Sequence, residues 1–351
     1  MLKERGHTAK TVKIILILVA IIVLLVLVAA SIGAARVSIY ETVRVVGSYI
    51  PGINHLIDSE MLDPRAIVVI SQIRLPRIFM ALIVGIALAS AGVIFQGIFR
   101  NPMADPFVIG VSAGGAFGAA VGLFFVSTIS LLNISVTTIL ALIGALGTTF
   151  LVYSISSTRG KVSVVTLLLS GIALSAMLGA MTSFIMIFRV NDMAKIVFWL
   201  MGGLTSASWQ KLYFITPVII ILVVICSFYM RDLNIISMGD ERAVQLGVQT
   251  EKVKKTLLVF ASIIAALAVS VSGIIGFVGL ITPHILRLIV GPDHKILFPT
   301  SALAGAIVLL VSDTLARTVL MPREIPVGII TSIVGVPFFL YLLIKSRKQV
   351  F

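Results

Sequence analysis

The sequence predicts an all-α protein that crosses a membrane many times. Of its 351 residues, 59% are hydrophobic and only 12% are charged, whereas an ordinary soluble domain carries about 25% charged residues. Apolar runs recur along the whole chain, for example over 14–30 and 212–229, and each approaches the roughly 20 residues that span a bilayer. We therefore expect one membrane domain over residues 1–351, rather than a soluble domain with one anchor.

Ten transmembrane helices are predicted from these runs, with their ends at charged or Gly/Pro-rich breaks. The first apolar run is longer than the roughly 7–15 residues of a signal peptide core, so we expect it to be retained. The predicted helices cover residues 13–35, 76–99, 107–126, 136–156, 165–189, 209–230, 256–274, 277–291, 299–320 and 325–345.

The positions of the basic residues predict that both termini are cytoplasmic. With the N-terminus inside, 16 of the 27 Lys and Arg residues lie on the cytoplasmic side, 10 lie outside, and Arg287 lies within a helix. Short cytoplasmic loops are enriched in Lys and Arg. The net charge of +13 is then explained by the positive-inside topology. We expect the chain to contact membrane lipid and to have no nucleic-acid partner.

Two segments are predicted on the outer side. Residues 36–73 are the least apolar part of the chain and are expected to form a loop with short helical pieces; they contain Glu41, Pro51, Asp58, Glu60, Asp63 and Pro64. Trp199 and Trp209 flank the second outer segment, where indole rings favour the headgroup region. We expect these two rings to anchor the chain at the interface.

Small residues at helical spacing predict close helix packing. In lipid, helices associate through faces of small residues that let their backbones approach. Such faces occur in the third predicted helix and in the fifth. They consist of Gly110, Gly114, Gly118 and Gly122 in the third helix, and of Gly171, Ser175, Gly179 and Ser183 in the fifth.

The most polar stretch assigned to the cytoplasm is residues 231–255, here named the coupling segment. Asp240 and Glu241 suit the first turn of a short helix, and Gly247 stands where a glycine ends one. A second helix is expected to begin near Thr250. Because a simple connection needs only a few residues, one interpretation is a docking site for a cytoplasmic partner, and the other is a solvated linker.

Arginines at the predicted outer face form a second candidate site. Arg74 and Arg77 flank Pro76 at the start of the second helix, and Arg317 follows Asp313 by four residues in the ninth. An acid placed four residues before a base is the favourable order for a helical ion pair. A positive outer rim opposes the positive-inside trend, so we expect contact with a carboxylate-bearing partner, although arginines at an interface also occur without one.

Residues 96–106, here named the gate turn, contain Pro102 and Pro106, which exclude a continuous helix. Irregular backbone at membrane depth occurs where it is buried in protein or lines a water-filled path. Asn101 and Met103 are therefore candidate gate residues, with an ordinary tight loop as the alternative.

The sequence gives little support for metal binding, ATP hydrolysis or catalysis by this chain. The four histidines are too scattered to suggest a metal site, and the single Cys226 excludes an intrachain disulfide. The phosphate-binding motif of P-loop ATPases is absent from the sequence, and no nucleophile stands beside a base. We expect no catalytic residues, no metal and no cofactor in this chain.

Five motifs in order make the chain resemble the FecCD family of ABC importer permeases. They are 72–77 (QIRLPR), 100–106 (RNPMADP), 238–247 (MGDERAVQLG), 276–287 (GFVGLITPHILR) and 324–328 (EIPVG). The resemblance covers nearly everything from about residue 70 onward. It implies a type II ABC importer permease fold in the cytoplasmic (inner) membrane, as a homodimer whose interface contains the translocation path. Two cytoplasmic ATPase subunits that bind ATP and an extracytoplasmic substrate-binding protein are the implied partners.

Residue roles follow from the same resemblance. The family's coupling helix corresponds to Gly239, Asp240, Glu241, Arg242, Ala243, Leu246 and Gly247, and its binding-protein arginines correspond to Arg74, Arg77 and Arg317. Its gate corresponds to Asn101 and Met103, with a second element at Val164 and Val165. Small polar residues stand at the last two positions in the cobalamin member, so the valines indicate a different cargo or a different second gate element.

The cargo class implied is a metal chelate such as an iron siderophore, haem or cobalamin, or else molybdate, and the residues do not choose among them. The alternative function is a secondary transporter driven by an ion gradient. That mechanism requires a carboxylate at mid-depth, and Asp313 is the one candidate.

Overall fold

The computed structural model is a helical bundle that confirms the all-α prediction. It describes residues 2–33, 35, 37–49, 63–125, 130–131, 134–158, 161–188 and 193–347. The helices in chain order are α1 (Leu2–Ser31), α2 (Ile39–Ser48), α3 (Pro64–Val68), α4 (Leu75–Phe99), α5 (Val111–Phe125), α6 (Val136–Ser156), α7 (Val164–Phe188), α8 (Met193–Leu200), α9 (Trp209–Phe228), α10 (Met230–Ser237), α11 (Asp240–Gln245), α12 (Thr250–Ser272), α13 (Val278–Val290), α14 (His294–Thr318) and α15 (Val327–Arg347).

Ten of these helices correspond one to one with the ten predicted spans. Seven stretches in the described residues are long and apolar enough to cross a bilayer alone, and α5, α13 and α15 are shorter apolar helices. Four two-residue strands complete the described structure as two antiparallel pairs, Ser130–Leu131 with Ile134–Ser135 and Ser157–Thr158 with Lys161–Val162. Helix packing therefore determines the architecture.

The predicted outer loop over 36–73 does contain short helices. Ser38 and Glu41 form a capping box that starts α2, and the Asp63 carboxylate accepts a hydrogen bond from the Arg65 N–H to start α3. A π-helical turn over Val69–Arg74 then joins α3 to α4 without a break. Pro51, Asp58 and Glu60 lie outside the described residues.

Several predicted helix ends were wrong. The second, seventh and ninth spans begin earlier than residues 76, 256 and 299, because helical stretches at Pro64, Thr250 and His294 open with polar turns. Hydropathy places an end at the first apolar residue, whereas hydrogen bonding continues beyond it. The third span begins later than residue 107, because Pro106–Ile109 form a 3₁₀ turn that ends at Gly110 with φ +85°.

Helix α4 lies at the centre of the bundle, packed against α12, α13 and α14. In the most apolar part of the stretch 64–99, 83% of the residues are buried, against 11% for α7. Two backbone contacts explain how α4 fits there. A Cβ on Gly85 would lie 2.3 Å from the Gly305 carbonyl oxygen, and one on Gly92 would lie 1.8 Å from the Gly279 carbonyl oxygen. The central helices therefore touch through their main chains.

The small-residue face predicted in the third span is confirmed, and that in the fifth is only half realised. In α5, Cβ atoms on Gly114 and Gly118 would lie 2.3 and 2.0 Å from carbonyl oxygens of α6. In α7, Gly171 makes a similar approach to the Val108 carbonyl. No atom of the described residues lies within 4 Å of the Cβ position of Gly179, and Ser183 is exposed. The second half of the α7 face is thus open in the single chain.

Candidate functional site

The coupling segment forms α10, α11 and the start of α12, so the predicted short helix is present over Asp240–Gln245. Gly239 and Gly247 stand on either side of it with φ values of +125° and +83°. These backbone conformations are open to glycine and costly for other residues. The two glycines thus set the turns by which α11 leaves and rejoins the bundle.

Helix α11 is anchored on one side and exposed on the other. Ala243 is fully buried in the main hydrophobic core, whereas Val244 and Leu246 are 60% and 64% exposed. Glu241 and Arg242 beside them are also exposed. An exposed patch that mixes apolar and charged side chains is typical of a protein interaction surface.

The gate turn begins where α4 ends at Phe99. Arg100 adopts a left-handed conformation with φ +48°, and the backbone N–H of Asn101 donates to the Gln96 carbonyl at 3.2 Å. The Asn101 side-chain oxygen accepts a hydrogen bond from the Met103 N–H at 2.9 Å, and the Asp105 carboxylate accepts one from the Phe107 N–H at 2.7 Å. Side chains therefore hold this turn in one shape, with Asn101 exposed and Met103 partly exposed.

An ion-pair bridge joins the gate turn to the coupling segment. The Arg100 guanidinium contacts one carboxylate oxygen of Asp240, and the Lys254 ammonium lies 2.6 Å from the other. Asp240 is the first residue of α11, and Lys254 belongs to α12. The bridge was not predicted, since Arg100 and Asp240 are 140 residues apart in sequence. A displacement of α11 would act directly on the residue next to Asn101.

The three predicted outer arginines converge at the opposite end of α4 and are buried. Arg74, Arg77 and Arg317 are 4%, 7% and 6% exposed. Arg77 lies 2.8 Å from the Asp313 carboxylate and 2.8 Å from the Glu324 carboxylate. The predicted helical pair is present, with Arg317 Nε 3.4 Å from the second Asp313 oxygen, an ion pair rather than a short hydrogen bond.

Two of these arginines, Arg74 and Arg317, also donate to carbonyls at the end of α1 and just beyond it. Arg74 donates to the Ala30 and Ala35 carbonyls, and Arg317 donates to the Ala29 carbonyl at 2.9 Å. The final carbonyls of a helix have no partner inside that helix, and they attract cations. The guanidinium groups thus make internal bonds in the single chain, and their predicted contact with another protein stays a prediction. Arg323, which was not predicted, is the exposed arginine beside them.

The predicted second gate element lies at the start of α7. Val164 and Val165 form the first turn of this helix and are 37% and 66% exposed, and their role stays a prediction.

The two tryptophans make different contacts in the bundle. The Trp209 indole donates to the Ser71 carbonyl at 2.8 Å and stacks on Tyr213. Trp199 packs against the main core. At least Trp209 therefore stabilises the outer helices by a direct hydrogen bond across the chain.

Comparison with known proteins places this geometry in a family. The family model described as the FecCD transport family matches residues 15–345. The cobalamin import system permease protein BtuC of Halobacterium salinarum is 45% identical over 79% of this chain and 73% of its own length. The hemin transport system permease protein HmuU of Yersinia pestis is 41% identical over 79% and 84% of the two chains.

A further relative and a solved structure support the same family. The Fe(3+) dicitrate transport system permease protein FecD of Escherichia coli is 36% identical over 80% of this chain and 86% of its own. A structure described as an inward-facing conformation of a metal-chelate type ABC transporter superposes with a TM-score of 0.81 at 33% identity, over 95% of this chain and 99% of that one. The protein belongs to the FecCD transport family of ABC importer permeases.

Proposed function

We propose that this chain forms the membrane path of an ATP-driven importer for a metal chelate. The names of three relatives mention cobalamin, hemin and iron(III) dicitrate. Each of these compounds has a metal centre held by a larger organic ligand. ATP hydrolysis belongs to two separate cytoplasmic subunits, since the sequence has no P-loop motif. A substrate-binding protein on the other side delivers the chelate.

The bridge centred on Asp240 is the observation that carries this proposal. It ties the exposed helix α11 to the gate turn through Arg100 and to the long helix α12 through Lys254. A partner that binds the exposed face of α11 and moves it would therefore displace both the gate turn and α12, which crosses the bundle. Nucleotide binding in that partner would favour one of two packings of the bundle, which is what alternating access requires.

The orientation in the inner membrane follows from the same assignment. The ATPase acts from the cytoplasm, so α11 and the gate turn face inward, and Arg77 and Arg317 face outward. The even number of spans then leaves both termini cytoplasmic, in agreement with the larger number of Lys and Arg residues on that side.

A homodimer is supported by the open face of α7. The residues of this helix are mostly exposed in the single chain, including Phe184 and Ile187 at 62% and 71%. The free space at Gly179 permits the close approach of a second helix. We propose that the cargo path runs between two copies of the chain, with Val165 near one end of it.

The binding protein is proposed to dock at the end that carries Arg323. Arg74, Arg77 and Arg317 are bonded internally, so they reach a partner only after these bonds rearrange, whereas Arg323 is exposed from the start. The alternative function, transport coupled to an ion gradient, needs a carboxylate free to exchange an ion. Asp313 is held between Arg77 and Arg317 instead.

Reconstitution in proteoliposomes with the ATPase and binding protein tests this function. Uptake should require ATP and both partners, and the double variant Glu241→Lys with Arg242→Glu should remain folded but lose uptake, because it inverts the charges on the gripped face. Accumulation of cargo by liposomes that contain only this chain would refute the proposal.

A further inference from the structure

A cavity of about 530 Å³ lies beside the gate turn, and the transport mechanism above assigns no ligand to it. It lies between the end of α4, the end of α10, and the junction of α13 with α14. The residues of interest in its wall are Gln96, Gly97, Asn234, Arg287 and His294. Two of their buried polar atoms, Gln96 Oε1 and His294 Nε2, have no hydrogen-bond partner among the described residues. The two side chains belong to residues that are only 2% and 5% exposed.

Both unpartnered atoms are hydrogen-bond acceptors. The Gln96 amide nitrogen donates to the Leu280 carbonyl at 3.0 Å. A carbonyl only accepts, so the amide oxygen of Gln96 must be the end left free. A donor inside the cavity is therefore needed to satisfy that oxygen.

The tautomer of His294 follows from its contacts with Asn234. The side-chain oxygen of Asn234 accepts from the His294 backbone N–H at 2.8 Å and lies 2.7 Å from His294 Nδ1, and its amide group donates to the Asp293 carboxylate at 2.6 Å. The proton of the neutral ring is thus on Nδ1, and Nε2 carries a lone pair. A Cβ at position 97 would lie 2.9 Å from Nε2, so glycine at this position is what lets α4 pass so close to that nitrogen.

Arg287 supplies an unpaired positive charge to the same cavity. Its side chain is half-buried, and its guanidinium has no hydrogen bond or ion pair within the part of the chain that the structure describes. The other charged groups in the wall already have partners: Arg100 contacts Asp240, and the Asp293 carboxylate accepts from Asn234 and from the Lys295 N–H. Counting the residues that the structure describes, the cavity wall thus contains one unpaired cation and two buried acceptors without a donor.

We propose that this cavity binds a phosphate group that carries a protonated oxygen. The anionic oxygens would pair with Arg287, as phosphate does with guanidinium groups, and the P–O–H group would donate to Gln96 Oε1 or His294 Nε2. Free inorganic phosphate and a phosphomonoester lipid headgroup share this chemistry. Sulfate and phosphodiester lipids have the charge but lack the donor.

The test is equilibrium dialysis of radiolabelled inorganic phosphate against the full-length chain in phosphatidylcholine nanodiscs, whose lipid has no P–O–H group. We expect saturable binding at about one phosphate per chain, with sulfate competing at least about tenfold more weakly, a difference typical of one lost hydrogen bond at a buried site. Arg287→Gln should weaken binding about tenfold or more, and Arg287→Lys should restore part of it. Arg231→Gln is the matched control, because Arg231 is exposed at the same end of the bundle and outside this cavity.

Nanodiscs that also contain phosphatidic acid distinguish the two sources. A loss of phosphate binding in them identifies the lipid headgroup as the preferred occupant, and unchanged binding identifies free phosphate; both results support the site. Three results would overturn it: no saturable binding in phosphatidylcholine, equal competition by sulfate, or unchanged binding by folded Arg287→Gln. If Arg287→Gln fails to fold, the sulfate comparison on the unmodified chain decides alone.

Discussion

Removing the charge of Asp240 should uncouple ATP hydrolysis by the partner subunits from movement of the gate turn, while leaving the fold almost unchanged. The substitution Asp240→Asn keeps the shape of the side chain but abolishes its ion pairs with Arg100 and Lys254. The three side chains are 46%, 38% and 20% exposed, and exposed ion pairs contribute about 0.2–1 kcal/mol each. The loss of unfolding free energy should therefore be about 1 kcal/mol.

The effect on transport should be larger, because the pair of Arg100 with Asp240 joins the gate turn to the coupling segment. In proteoliposomes with the ATPase and the binding protein, we expect Asp240→Asn to hydrolyse ATP but to import several-fold less cargo per ATP. Asp232→Asn is the matched control: it makes the same chemical change on α10, and Asp232 has no ion pair among the described residues. Its ratio of cargo to ATP should match the unmodified protein.

A double-mutant cycle isolates the contact between Arg100 and Asp240. If the bridge transmits the motion, Arg100→Gln and Asp240→Asn each break the same contact, and the double variant should be no worse than Asp240→Asn alone. Additive losses would show that the two residues act independently, and an unchanged ratio of cargo to ATP in Asp240→Asn would refute the role of the bridge altogether.

Three further outcomes are expected. Arg323→Glu should weaken binding-protein docking in pull-downs, most clearly at low salt, and unchanged retention would remove Arg323 from the docking surface. Arg77→Ala should lower the free energy of unfolding by about 3–5 kcal/mol, because it leaves the buried Asp313 carboxylate without its nearest cation; an unchanged melting temperature would contradict this. Burial raises the pKa of the Asp105 carboxyl to about 6, above its ordinary value of about 3.9, so its charge destabilises the fold as pH rises through that window. Asp105→Asn should melt higher at pH 7 and lose that part of the pH dependence, and parallel melting curves would argue against it.

Local features of the chain were predictable because they depend on neighbours in sequence. The number of spans follows from the length of the apolar runs, and the short helix α11 follows from its acidic first turn and from Gly247. The pair of Asp313 with Arg317 follows from their spacing of four residues in one helix. Each of these needs only one or two turns of chain to be specified.

Long-range contacts were not predictable in the same way. Arg77 contacts Asp313, which is 236 residues away in the sequence, and Arg317 donates to the Ala29 carbonyl, which is 288 residues away. An arginine near a helix end is equally compatible with an exposed rim and with a buried network, and only the fold decides between them. The burial of Arg317 could not be deduced, because the carbonyl that it binds has no side-chain signal in the sequence.

The two ends of the bundle differ in how costly their polar contacts are to break. Around Arg77 the charges are nearly inaccessible to water, and separating such a pair leaves an unpaired buried charge. Around Asp240 the charges are partly hydrated, so water can replace each partner at a small cost in free energy. A transporter needs contacts that exchange readily where the motor acts and contacts that hold where helices must stay together. Under the proposed mechanism, weak pairs at α11 and strong pairs at the arginine cluster would direct the motion toward the gate turn.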